Sequence, residues 1–76
     1  MMSGDLDRIR AVKQQHEAAW MAMKEVVAVG IGLTSQGETG IIISVEKDAA
    51  AVRQSIPAVV EGIPVDIRES GKIVAF

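Results

Sequence analysis

Two β-branched runs joined by a short turn constrain this chain more than any other feature. Residues 26–34 alternate Val27, Val29, Ile31 and Leu33 with Ala28, Gly30, Gly32 and Thr34, so one face of the expected strand is bulky and the other nearly bare. Ser35-Gln-Gly-Glu-Thr-Gly40 carries turn chemistry, and Ile41-Ile-Ile-Ser-Val-Glu46 is a second β-branched run. An antiparallel hairpin is the simplest product of that pattern. Its bulky face must be buried against something.

Helices supply that cover. From Asp5 to Lys24, the residues Leu6, Ile9, Val12, His16, Ala19, Trp20 and Met23 recur at helical spacing, with Arg10, Gln14, Glu17 and Ala18 on or near the far side. Ser3 or Asp5 is suited to cap the start. Asp5 and Asp7 suit the positive end of the helix dipole, and Lys24 the negative end. Asp48 is expected to cap a short helix over residues 49–54, which Pro57 ends. Ala58 to Glu69 reads as one extended segment in which Gly62 and Pro64 mark a bulge, kink or edge position. In it Val65 and Ile67 point one way, Asp66 and Arg68 the other. Glu69-Ser-Gly-Lys72 signals a tight turn, and Ile73-Val-Ala-Phe76 a closing strand. The expected order is α-β-β-α-β-β in a single α+β domain over residues 1–76. It implies a two-layer sandwich of one four-stranded antiparallel sheet with two helices on one face.

Size and charge narrow the function. A chain of 76 residues buries only about 60% of the surface that its unfolded form exposes, so its core is thin and a second copy or a partner would help it. The net charge of -2 disfavours nucleic acid and anionic membranes as partners. No cysteine is present, which removes disulfides, thiolate zinc sites, iron–sulfur ligation and thiol catalysis. No apolar run approaches the roughly 20 residues that span a bilayer, and the N-terminus lacks a basic region followed by an apolar one. A cytoplasmic protein is expected.

The glycines of the first strand have two readings. Gly30 and Gly32 either serve a bulge or strong local twist, or keep a face bare so that another backbone or ring can approach. In the second reading Ala28, Gly30, Gly32, Ile42 and Ser44 form a contact surface for a second copy or a partner.

Other motifs are weaker. Gly37-Glu-Thr-Gly40 matches the GxxG loop of KH-type RNA-binding domains, but it joins two strands and carries Glu38, which favours a plain hairpin turn. Gly30-Ile-Gly32 lacks the third glycine and the helix of a dinucleotide fingerprint. His16 has Val12, Lys13, Ala19 and Trp20 at helical distance and no carboxylate or hydroxyl among them, so a half-buried structural histidine is expected. Trp20, Met21 and Met23 form an apolar end to the same helix. Glu61, Asp66 and Glu69 read as solvated strand residues or cross-strand ion pairs, and Ser44, Ser55 and Ser70 have no histidine partner. No catalytic residue, metal ligand or cofactor site is expected.

Val29-Gly-Ile-Gly32, Ile43-Ser-Val-Glu-Lys47, Ile56-Pro57 and Glu61-Gly-Ile-Pro-Val-Asp-Ile67 together resemble the small region that precedes some bacterial trypsin-like serine peptidase domains. The α-β-β-α-β-β order is similar to the fold of the α-lytic protease prodomain, a class that includes iron–sulfur cluster-scaffold domains. The resemblance implies fold, and a peptidase as a partner. It implies no catalytic triad in this chain, and without a CxxC motif it implies no cluster chemistry. The expected function is therefore a non-catalytic, self-associating protein-interaction module, a homo-oligomer that covers its open sheet face or adds strands at a free edge. The alternative is a peptidase-associated inhibitor or folding chaperone acting in trans, with Lys72-Ile-Val-Ala-Phe76 lying in a serine peptidase cleft as an added strand.

Overall fold

A computed structural model describes residues 3–69, with side chains from Leu6 onward. The elements run α1 (Ser3–Met21), β1 (Val26–Leu33), β2 (Thr39–Val45), α2 (Ala49–Ser55), β3 (Val59–Val60) and β4 (Ile63–Glu69). The chain is α+β, with two helices and one four-stranded sheet ordered β1-β2-β4-β3.

The sheet is mixed, where the sequence suggested an antiparallel one. β1 pairs antiparallel with β2 and β3 antiparallel with β4, but β2 and β4 run parallel. Residues 46–62, which include α2 and β3, form the long connection that a parallel pair requires. The extended segment expected over Ala58–Glu69 is instead a small hairpin. Glu61 (φ 52°) and Gly62 (φ 82°) both have positive φ, as in the two-residue turns that match the twist of flanking strands. Gly62 was therefore a turn position rather than a kink. Pro64 precedes the parallel ladder, which begins at Val65, so its missing N–H removes no bond to β2. The closing strand expected at Ile73–Phe76 lies outside the described residues.

Ile41, Ile43 and Val45 of β2 have no exposed surface, and burying each such side chain contributes about 1.5–3 kcal/mol. Their cross-strand neighbours Val29, Ile31, Val65 and Ile67 share that face. Ile9, Val12 and Trp20 from α1 and Ala49 and Val52 from α2 join the same core, with Ile56 beside them. Of the residues assigned to the apolar stripe of α1, Leu6 and Ala19 are exposed, and the helix ends at Met21, before Lys24. Ala22 N donates to Ala18 O and Met23 N to Trp20 O as the last turn tightens.

β1 departs from its expected face at one end. The register slips between Val26 and Ala28, which leaves Val27 as an extra residue. Val26 is therefore the buried one, and Val27 is exposed. Leu33, also expected to meet the helices, is 63% exposed. α2 shows another difference. Asp48 stands at the N-cap position with φ 59° and makes no side-chain capping bond. Its carbonyl instead accepts from Ala51 N and Val52 N. At the far end Ile56 is extended, the conformation favoured before a proline.

Candidate functional site

From Ala28 onward the pairing of β1 with β2 is regular, and it sets Ala28 beside Ser44, Gly30 beside Ile42, and Gly32 beside Gly40. Ile42 and Ser44 in turn lie beside Asp66 and Arg68 of β4. Strand alternation places all of these opposite Ile41, Ile43 and Ile67. The five residues singled out from sequence, Ala28, Gly30, Gly32, Ile42 and Ser44, therefore share one sheet face. Ala28 is exposed and the other four are half-buried.

The three strand glycines on this face differ in what holds them. None has a positive φ, and the bulge falls at Val27, not at a glycine. A Cβ added at Gly40 would collide with the carbonyl oxygen of Pro64 and stand 2.9 Å from Pro64 Cγ and 3.0 Å from Thr34 Cγ2. At Gly32 it would lie 3.3 Å from Ile42 Cγ1, a tight contact with a side chain able to shift. At Gly30 it would meet nothing within 4 Å. Close approach inside the molecule thus explains Gly40 and partly explains Gly32. It does not explain Gly30.

Polar groups tie one end of the face together. Asp66 Oδ2 accepts from Ser35 N at 3.0 Å and from Arg68 Nε at 3.1 Å. Arg68 Nη2 donates to Leu33 O at 2.6 Å. These bonds reach from β4 past β2 to the end of β1, so the β1–β2 hairpin is fastened to β4 across the sheet. Thr34, buried beside Gly40, closes the turn by donating from Oγ1 to Glu38 O at 2.7 Å. The sequence placed Asp66 and Arg68 on a common face, but their hold on Ser35 and Leu33 depends on contacts more than 30 residues apart.

A second polar cluster joins α1 to the β3–β4 turn. His16 Nε2 lies 3.0 Å from Glu61 Oε2, and Arg8 Nη2 donates to Glu61 O at 2.8 Å. The His16 ring stacks on Trp20 with centroids 5.2 Å apart and an interplanar angle of 19°. Helical spacing gave His16 no carboxylate, because its partner is 45 residues away. No hydroxyl bonds His16 among the described residues, and the arrangement pins a turn whose Glu61 has positive φ. Beside it lies a cleft of about 810 Å³, with Leu6, Ile9, Ile63 and Pro64 among its lining and Arg8 and Glu38 at its charged positions.

Among the described residues, no group of three or more His, Cys, Asp or Glu could hold a metal ion, and no helix is long and apolar enough to cross a membrane. The segment Lys72–Phe76, expected to enter a peptidase cleft, lies outside the described residues. Comparison of the chain with protein-family models, curated proteins and solved structures gives no match.

Proposed function

We propose that the protein is a non-catalytic interaction module that self-associates through the sheet face carrying Ala28, Gly30, Gly32, Ile42 and Ser44. In this reading both helices lie on the Ile41 and Ile43 side as one layer of a two-layer sandwich, and the opposite face is the contact surface. A cytoplasmic setting is part of the same proposal.

The observation that carries the proposal is Gly30. Glycine inside a strand costs roughly 0.5–1 kcal/mol relative to alanine, because its unfolded backbone is freer. Gly30 has space for a side chain, no positive φ and no bulge that requires it. The monomer gains nothing from that cost. A surface that another copy must approach closely does gain from it.

Ile42→Glu tests the idea, since it sets a charge beside Gly30 at the centre of the proposed contact. The molar mass in solution should fall to that of a smaller assembly while the circular dichroism spectrum stays that of the folded wild type. An unchanged mass above the monomer value removes this face from the interface.

A further inference from the structure

The two edges of the sheet are treated differently. On the β3 side, the edge strand has only two residues, Val59 and Val60. Val65 N faces that side, donating to Ala58 O, and by strand alternation Ile67 faces it as well; its carbonyl is taken by Arg53 Nη2 at 3.0 Å. Short length and a covering cation are usual ways to blunt an edge.

On the other side, β1 presents eight residues, VVAVGIGL, with no charge and no proline. Thr34 N donates to Glu38 O, so the alternation of an antiparallel ladder turns Gly32, Gly30 and Ala28 toward β2 and turns the backbone of Ile31 and Val29 outward. No strand pairs with that outer side among the described residues.

We propose that this outer edge pairs antiparallel with the same edge of a second copy, about a two-fold axis at Gly30. The proposal rests on the self-association described above and adds a second contact to it. A second copy is singled out by the symmetry of the strand itself. The regular ladder of β1 runs from Ala28 to Leu33, and within it Val29 and Ile31 stand equally far from Gly30, while the exposed Leu33 and the bulged Val27, at 63% and 36%, lie near one another at the two ends of the seam. Val29 then meets Ile31, and both turn their backbone groups to the seam. On the glycine face the seam is Gly30 against Gly30 and Ala28 against Gly32, with no side chain larger than a methyl group to obstruct the approach. A two-fold normal to the sheet keeps both copies' helices on the same side and joins two four-stranded sheets into one of eight strands. Edge pairing and face contact together make a closed assembly of four copies.

The test is a charge exchange. In the double variant Val27→Lys/Leu33→Lys, the pairing would bring lysine near lysine at both ends of the seam, so its molar mass should be half that of the wild type. The variant Val27→Glu/Leu33→Glu should behave likewise, and an equimolar mixture of the two should regain the wild-type mass. Circular dichroism checks that each variant is folded. Should either misfold, amide exchange of the wild type decides instead: the amides of Val29 and Ile31 should exchange more slowly as concentration rises. Lysine variants that keep the wild-type mass, a mixture that fails to reassemble, or exchange independent of concentration would each overturn the edge pairing. If Ile42→Glu still lowers the mass in that case, the face contact stands without the edge. If Ile42→Glu has no effect while the charge exchange works, the edge stands and the face contact fails.

Discussion

A methyl group at Gly40 would run into the Pro64 carbonyl, whereas the same group at Gly30 would meet nothing. Gly40→Ala should therefore lower stability by about 1–3 kcal/mol, the usual range for overpacking. Gly30→Ala should raise the stability of the isolated fold by about 0.4–1 kcal/mol through the unfolded chain. Denaturant unfolding of both variants, at a concentration low enough to dissociate the assembly, checks the contrast. Equal losses at both positions would mean that Gly30 is held by the fold after all. The sequence could not rank these glycines. Gly40 looked like the end of a turn, because its constraint comes from β4, a neighbour set by the parallel pairing. Gly30 and Gly32 looked alike, because the sequence does not show that Ile42, paired with Gly30, turns its Cγ1 toward Gly32. Ala28, Gly30, Gly32, Ile42 and Ser44 share one sheet face, since alternation survives from Ala28 onward. The bulge that turned Val27 outward has no glycine or proline to announce it.

Among the elements, the β3–β4 hairpin carries the largest departure from expectation. Asn-Gly or Asp-Gly would have announced its turn, but here Glu61 takes a positive φ, which its own chemistry does not favour. Arg8 and His16 hold it from α1, and no local pattern could show that. The hairpin then delivers β4 parallel to β2, so missing the turn also meant missing the mixed sheet. Gly62→Ala should cost about 1 kcal/mol or more, because φ is 82° there and the added Cβ is strained. His16→Ala should cost less than about 1 kcal/mol, because the pair with Glu61 is partly exposed, with side-chain exposures of 32% and 50%. Its clearer sign should be a change in Trp20 fluorescence, since the stacked ring is lost. A His16 variant with an unaltered spectrum would contradict the stacking.

For the whole molecule, one small core, centred on Ile41, Ile43, Val45 and Val52, carries most of the hydrophobic stabilisation. Association adds to such a fold by mass action, so the unfolding temperature should rise with protein concentration. A temperature independent of concentration would mean that the chain stands alone. The α+β class and the run of elements from α1 to α2 were legible because the β-branched runs and the helical stripe are strong local patterns, whereas the one strand expected over Ala58–Glu69 is two. The strand directions were not, because they follow from how residues 46–62 cross the sheet. The measurement that bears most directly on self-association is light scattering across a dilution series, on the wild type and on Gly30→Val, with a thermal melt of each. The wild type should weigh a multiple of 8.1 kDa. Gly30→Val should weigh less at the same concentration, while its fully dissociated form melts no lower than that of the wild type. A wild type of 8.1 kDa at every concentration, or a valine variant that keeps the wild-type mass, would contradict the glycine face as the contact.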